Sequence, residues 1–160
     1  MNRLTLGLGG NKGNVKQTLF QTEKLIAQEI GEIVKKSSNY KTSAWGNTNQ
    51  PDFINNVLLV ETNLTVVECL QKVLDIEKRL GRMRTDKKWE ERIIDIDILF
   101  YNDSSIQLEN LVVPHPYIQD RKFVLIPLVE IIPEYKHPLL NKSLNILLEN
   151  CSDVLDVQKV

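Results

Sequence analysis

Hydrophobic and polar positions alternate along the chain with two different periods, which predict strands and helices. Alternation over 4–8 and a dense run of β-branched and aliphatic residues over 53–62 predict two strands. Apolar residues three and four positions apart predict helices over 14–30 and 65–80. Segment 33–42 has a polar middle, and we expect it to form a strand that is exposed to water.

The predicted helices carry signals for where they begin. Asn14 can act as the N-cap of the first helix, and Thr65 with Glu68 can form a capping box for the second. Gly31 and Gly81 are expected to end these helices.

A strand over 93–101 completes the pattern and contains only two polar residues before Tyr101, Asp95 and Asp97. Residues i and i+2 of a strand point to the same face, with Cα atoms about 6.5 Å apart. We therefore expect the two carboxylates to stand side by side, with Ile94, Ile96, Ile98 and Phe100 on the opposite face.

The resulting order βαββαβ predicts an α+β protein with a ferredoxin-like sheet and helices packed on it. Helical stretches are also predicted over 121–130 and 143–150, which form a C-terminal helical extension. With 160 residues and no internal repeat, the chain is predicted to be a single domain spanning 1–160.

Composition excludes several classes of function. Twenty basic and twenty-one acidic residues give a net charge of −1, which argues against general nucleic-acid binding. The longest apolar runs are too short to span a bilayer and there is no signal-peptide pattern, so we expect a soluble, cytoplasmic protein without membrane association. The two cysteines provide no disulfide framework.

Two interpretations of the paired aspartates are open. They can simply face water on an edge strand, or they can hold a divalent cation, since two adjacent carboxylates repel each other unless something compensates. Cations cluster between Lys78 and Arg92, just before the strand. Carboxylates beside so many cations favour a metal-bound polyphosphate.

Two further features stay open at this stage. Glycines in the stretch 9–13 could let the backbone approach phosphates, although the stretch does not match a P-loop. Asn55 lies near the start of an apolar strand, so its amide is either satisfied by neighbouring backbone or available to a ligand.

Several motifs occur together in a fixed order and spacing. They are Tyr40-Lys-Thr42, Gln50-Pro-Asp-Phe-Ile-Asn55, Leu80-Gly-Arg-Met-Arg84, Arg92-Ile-Ile-Asp-Ile-Asp-Ile-Leu99, Val113-Pro-His-Pro116 and Arg121-Lys-Phe-Val-Leu-Ile-Pro-Leu128. On these motifs the chain resembles 6-hydroxymethyl-7,8-dihydropterin pyrophosphokinase, an enzyme of folate biosynthesis. The resemblance implies transfer of a diphosphoryl group from ATP to the hydroxymethyl oxygen of the reduced pterin, giving AMP, in a protein that acts as a monomer.

The resemblance also implies roles for individual residues. Asp95 and Asp97 would bind two Mg²⁺ ions, and Arg82 and Arg92 would act with them in catalysis. Pterin binding would involve Thr42, Ser43, Trp45, Phe53, Asn55, Trp89 and Phe123. ATP binding would involve Glu77, Arg82, Arg84, Lys88, Trp89, Arg92, Ile98, His115 and Arg121.

The chain departs from the family pattern at two places. Glu90 and Glu91 put two negative charges beside Arg92, the arginine that begins the Arg-x-x-Asp-x-Asp motif. Phe53 stands where the family commonly has a tyrosine. Two rival hypotheses are a ligand-binding module without catalysis and a nucleotide-sugar transferase that uses Asp-x-Asp for its metal. The charged connection from Arg82 to Arg92 is predicted to be a lid that closes over ATP.

Overall fold

The computed structural model describes residues 1–43, 49–82 and 91–160. In chain order its helices and strands are β1 (Asn2–Gly10), α1 (Val15–Glu29), β2 (Glu32–Lys36), β3 (Tyr40–Thr42), β4 (Phe53–Thr62), α2 (Val66–Arg79), β5 (Asp95–Tyr101), β6 (Ile106–Leu108), β7 (Leu111–Val113), a 3₁₀ turn (Ile118–Asp120), α3 (Lys122–Ile131), α4 (Leu144–Glu149) and β8 (Val157–Lys159).

Six of these strands form one sheet in the order β5-β1-β4-β3-β8, with β2 also paired to β4. All of the pairings are antiparallel, and β1 and β4 form the longest ladder, from Asn2 opposite Thr62 to Gly10 opposite Ile54. The sheet and its crossover helices confirm the predicted ferredoxin-like α+β fold.

Helices cover the two faces of the sheet and give the protein two hydrophobic clusters. On one face, α1 and α2 bury residues such as Leu19 and Ile76 against Leu6 of β1. On the other face, α3 and α4 bury residues such as Leu125 and Leu147. The central strands are therefore enclosed on both sides along most of their length.

Local signals place the two crossover helices where the sequence predicts them. The Asn14 side chain accepts a hydrogen bond from the Gln17 N–H at 3.2 Å. Thr65 and Glu68 form the expected capping box, in which each side chain accepts from the other residue's backbone N–H. Each cap satisfies N–H groups that have no partner within the helix.

A β-bulge changes the predicted faces of β5. The register with β1 shifts between Thr5 and Leu6, so that Thr5 lies opposite Phe100 and Leu6 opposite Ile98. Phe100 therefore joins Leu99 in the cluster beneath α3, and its predicted place on the face of Ile94, Ile96 and Ile98 is wrong. An extra residue in one strand reverses the alternation beyond it.

The segment predicted as one exposed strand over 33–42 is two strands, β2 and β3. Between them, the Ser37 hydroxyl accepts from the Val57 N–H and the Ser37 N–H donates to the Val57 carbonyl. A side chain thus takes over part of the ladder with β4 where the strand is interrupted.

The C-terminal extension contains the predicted helix α4, but it also contains a strand that was not predicted. After α4 the chain returns to the sheet, and β8 adds to its edge beside β3, with Val157 opposite Thr42. Backbone hydrogen bonds make this pairing, and three residues are too few to show a hydrophobic period. None of the helices within the described ranges is long and apolar enough to cross a membrane.

Candidate active site

Asp95 and Asp97 lie at the point where two cavities adjoin. One cavity has a volume of about 270 Å³ and the other about 290 Å³. Both are lined by the two aspartates together with Arg92 and Arg121. As predicted, alternation along β5 turns both carboxylates to one side, because Ile94 and Ile96 pack into the core on the other.

The Asp95 carboxylate is neutralised by two arginines. Its Oδ1 accepts from Arg82 Nη1, and its Oδ2 accepts from Arg92 Nη1 at 2.8 Å. Arg82 Nη1 also donates to Glu77 Oε2 at 2.6 Å. The same Glu77 oxygen accepts from the Ile96 N–H at 2.8 Å, which ties α2 to the aspartate strand. These groups form one network of alternating charges.

Asp97 is in a different electrostatic environment. Burial, and then the charge of Asp95, raise the pKa of its carboxyl to about 7. In the described part of the chain, the structure gives the Asp97 carboxylate no hydrogen bond or ion pair. The charges of Arg121 and Arg82 lower this pKa only in part, so a cation that arrives from outside would further stabilise the charged form of Asp97.

This pair of carboxylates suits Mg²⁺ better than a metal that needs a complete protein cage. No group of three or more His, Cys, Asp or Glu side chains among the described residues could hold a metal ion. Mg²⁺ is typically bound by one or two carboxylates together with substrate phosphates and water. The donors at this position fit a cation that binds with its phosphate ligand.

The first cavity, which we call the aromatic cavity, is lined by the described residues predicted to bind the pterin. These are Thr42, Ser43, Phe53, Asn55 and Phe123. The Asn55 Oδ1 atom is buried and has no hydrogen-bond partner among the described residues. Because an unpaired buried acceptor is costly, this favours the interpretation that the Asn55 amide serves a ligand.

The second cavity, which we call the charged cavity, is lined by residues predicted to bind ATP. They are Glu77, Arg82, Arg92, His115 and Arg121, and Tyr117 and Ile96 join them. Burial, and then the nearby Arg121 charge, lower the pKa of His115 to about 4. His115 Nδ1 accepts from the Tyr117 N–H at 3.2 Å, so its imidazole is neutral at pH 7 and can donate through Nε2.

Comparison with known proteins decides the family. Residues 5–133 match the model of the 7,8-dihydro-6-hydroxymethylpterin-pyrophosphokinase family. The chain belongs to this family. The resemblance inferred from the motifs is confirmed, and so is the enzyme class that it implies, an ATP-using pyrophosphokinase of folate biosynthesis.

Curated relatives extend over most of the chain. The chain is 40% identical to a protein of Methylorubrum extorquens named 2-amino-4-hydroxy-6-hydroxymethyldihydropteridine pyrophosphokinase, over 84% of this chain and 85% of that one. It is 44% identical to a protein of Aquifex aeolicus with the same name, over 87% and 86% of the two chains.

A solved structure supports the fold. The HPPK-DHPS protein of Plasmodium falciparum, crystallised as a triple mutant, superposes with a TM-score of 0.76 at 21% identity. The match covers 92% of this chain, which spans 44% of the length of the Plasmodium chain.

Asn11 is a site residue that the sequence analysis missed. It is buried, its Oδ1 accepts from the Arg92 N–H at 2.8 Å, and its own N–H donates to the Arg92 carbonyl at 2.9 Å. Its Nδ2 donates to Gln50 Oε1 and to the Pro51 carbonyl. Asn11 thus links the backbone of Arg92 to the segment that precedes β4. The signal was an asparagine within a glycine-rich stretch, in which the sequence analysis had considered only the glycines.

The glycines beside Asn11 make room for protein atoms. A Cβ on Gly9 would lie 2.2 Å from Asn55 Nδ2, and a Cβ on Gly10 would lie 2.5 Å from the Ile93 carbonyl oxygen. Gly9 therefore lets the Asn55 side chain cross over β1. The structure gives these two glycines a packing role, where the sequence had left an approach to phosphates open.

The remaining predicted site residues are placed differently or lie outside the description. The structure places the Ile98 side chain in the core beneath α1 and α2, 4% exposed and lining neither cavity, and its predicted part in ATP binding stays a prediction. Trp45, Arg84, Lys88 and Trp89 lie outside the described residues, as does most of the predicted lid.

Proposed function

We propose that the chain binds the reduced pterin in the aromatic cavity and the ATP triphosphate in the charged cavity, and that diphosphoryl transfer occurs at Asp95 and Asp97. The observation that carries this proposal is that both cavities share the two aspartates, Arg92 and Arg121. In-line transfer requires the attacking oxygen and the phosphoryl group to meet, and this shared boundary is where two such ligands would touch.

The bond changes are those of a pyrophosphokinase. The hydroxymethyl oxygen of the pterin bonds to the β-phosphorus of ATP, and the bond from that phosphorus to the oxygen bridging to the α-phosphate breaks. AMP leaves with the bridging oxygen, and the proton of the hydroxyl group is released. Two Mg²⁺ ions, held by Asp95 and Asp97, would supply charge neutralisation for the triphosphate when bound.

Arg82 and Arg92 have one role before the ligands bind and another afterwards. In the ligand-free arrangement Arg82 and Arg92 neutralise Asp95. When Asp95 takes a metal ligand's role, their guanidinium groups become available to phosphate oxygens, which are acceptors of matching geometry. Arg82 stays close to the site because Glu77, buried on α2, also holds it. Catalysis of phosphoryl transfer is mostly such positioning and electrostatic stabilisation.

Asn55, Phe53 and Phe123 are proposed to recognise the pterin. A flat heteroaromatic ring presents faces that stack on aromatic side chains and an edge that needs hydrogen-bonding partners. The buried Asn55 amide oxygen, which no other described residue engages in a hydrogen bond, provides an acceptor for that edge. Phe53 supplies a ring face without a hydroxyl group, which fits a role in stacking.

We also propose that the whole chain, 1–160, is one domain that works as a monomer on small molecules. The net charge of −1 supports the absence of a nucleic-acid partner.

Product analysis tests the proposal. Protein, Mg²⁺, ATP and 6-hydroxymethyl-7,8-dihydropterin are incubated, and nucleotides are separated by chromatography. We expect AMP in equal amount to the consumed pterin. ADP would instead indicate transfer of a single phosphoryl group, and binding of both substrates without any nucleotide product would support a binding module. The matched control uses 6-methyl-7,8-dihydropterin, which lacks the attacking hydroxyl group and should yield no AMP.

A further inference from the structure

The C-terminal segment 153–157 contacts Thr42, a residue that lines the aromatic cavity, although the segment lies beyond the residues that match the family model. Asp153 is 8% exposed, and Val157 begins β8 opposite Thr42 of β3. Thr42 lines the aromatic cavity. The tail thus contacts the wall of the aromatic cavity at Thr42 of β3.

Asp153 takes the place of a missing helix cap. Helix α3 begins at Lys122, and its N-cap residue Arg121 makes no side-chain cap hydrogen bond. Asp153 Oδ2 accepts from the Lys122 N–H at 3.0 Å, while its Oδ1 accepts from the Leu155 N–H at 3.0 Å. A carboxylate at this position satisfies a first-turn donor and also interacts favourably with the helix dipole.

The reason for a cap from elsewhere lies in Arg121. At the N-cap position, Ser, Thr, Asp or Asn would normally supply the acceptor. Here the residue is an arginine that lines both cavities, with its guanidinium carbon 5.0 Å from the Tyr117 ring centre and 5.7 Å from that of Phe123. The N-cap position of α3 is thus occupied by the cationic Arg121, and Asp153 of the tail provides the acceptor for the Lys122 N–H.

The tail also fixes Thr42 on the neighbouring wall of the aromatic cavity. The Thr42 hydroxyl donates to the Asp156 carbonyl at 3.1 Å, and Thr42 is 4% exposed. The hydroxyl proton of Thr42 is therefore used in the hydrogen bond to Asp156, so the hydroxyl group can offer a ligand only an acceptor lone pair.

We propose that Asp153 is a positioning residue of the pterin site, which holds the start of α3 and, through the segment that follows, Thr42. This inference rests on the proposed function, because it assumes that the pterin occupies the aromatic cavity. Arg121 also lines the charged cavity, but among the described residues no hydrogen bond joins segment 153–157 to Glu77, Arg82 or Asp95. Loss of Asp153 should therefore affect pterin more than ATP.

The experiment measures KM for both substrates in the AMP assay for three variants. We expect Asp153→Ala to raise the pterin KM about tenfold, which corresponds to about 1.4 kcal/mol, and the ATP KM less than about threefold. Asp153→Asn keeps one acceptor oxygen for the Lys122 N–H and should restore most of the loss. Glu149→Ala is the control, since it removes one exposed negative charge from the same region and should match the wild type.

Each outcome decides the matter. Equal pterin KM values for Asp153→Ala and Glu149→Ala would overturn the proposal, and so would an equal rise of both KM values in Asp153→Ala. If Asp153→Ala fails to fold, Asp153→Glu is decisive, because it keeps the charge but displaces the acceptor from the Lys122 N–H. A rise of the pterin KM alone would support the proposal, and unchanged KM values or an equal rise of both would overturn it.

Calorimetric titration with oxidised 6-hydroxymethylpterin separates this inference from the proposed function. A wild type that binds the pterin but makes no AMP contradicts the catalytic proposal alone, and the affinities of the three variants still test Asp153. A wild type that binds no pterin contradicts both.

Discussion

The aromatic cavity and the charged cavity share four residues but are built on different physical principles. In the aromatic cavity, Asn55 is positioned by the β1–β4 ladder and by the space that Gly9 leaves. In the charged cavity, Arg82 and Arg92 are positioned by ion pairs with Glu77 and Asp95. The first arrangement is fixed by backbone pairing before any ligand arrives. The second can exchange its partners, as a site that must admit a metal-bound polyphosphate has to do.

Asp97→Asn should break the charged cavity most severely. We expect turnover to fall by at least about a hundredfold, because metal-ion charge stabilisation in a transition state is worth several kcal/mol. The metal-free variant should remain folded and at least as stable as the wild type at pH 8, since a repelling charge is removed. AMP production and urea unfolding measure the two effects. Near-normal turnover at low Mg²⁺ would contradict the metal assignment.

Asp95→Asn is the matched variant, with the same change two residues away. It weakens the acceptor that two arginines share, so we expect the metal-free protein to lose about 1–2 kcal/mol of unfolding free energy. If both variants changed stability alike, the distinction between a paired and an unpaired carboxylate would be wrong.

Asn55→Ala tests the aromatic cavity. Loss of the amide should weaken pterin binding by about 1–3 kcal/mol, or roughly 5- to 150-fold, because the bound ring would lose a buried hydrogen-bonding partner. Binding of a non-hydrolysable ATP analogue should change little. Calorimetry with each ligand measures both values, and an equal loss for the two ligands would favour a backbone role for Asn55.

Gly9→Ala tests whether the space above β1 positions Asn55. The added methyl group would lie 2.2 Å from Asn55 Nδ2, so the amide must move, and we expect pterin affinity to fall about tenfold. Gly7→Ala is the control, because its methyl group would lie 3.3 Å from a Leu99 methyl that can yield. Equal affinities for the two variants would show that Asn55 does not depend on Gly9.

The smallest expected effect concerns pH and sets the titration of Asp97 against that of His115, both of which line the charged cavity. The pKa of Asp97 is raised to about 7, so its contribution to stability is present at low pH and is lost as pH rises through about 7. The pKa of His115 is lowered to about 4, so its contribution is present above about 6.5 and is lost as pH falls through about 4. The two contributions partly cancel in the metal-free protein.

Asp97→Asn should therefore make the unfolding free energy of the metal-free protein rise more steeply between pH 4.5 and 6.5 than in the wild type. Urea unfolding across this range in EDTA measures the slope, and His115→Gln should change it in the opposite direction. Identical slopes for the wild type and Asp97→Asn would contradict the raised pKa.

Much of the fold was determined by local signals in the sequence. The bounds of β4, the two capped crossover helices and the common face of Asp95 and Asp97 follow from hydrophobic period and from caps that act within one turn. The family followed from motif residues that are close together in sequence. These features depend on neighbours a few positions away, and a sequence displays such neighbours directly.

Only the tertiary structure decided the features that depend on distant partners. The bulge that moves Phe100 to the other face arises from the register between β1 and β5. Asn11 acquires its role because Arg92 and Pro51 approach it from other parts of the chain, and Asp153 caps a helix that begins at Lys122. In each case one polar group satisfies another across a long sequence separation. Hydrophobic periodicity does not predict such pairs, because the two polar groups come close together only in the folded chain.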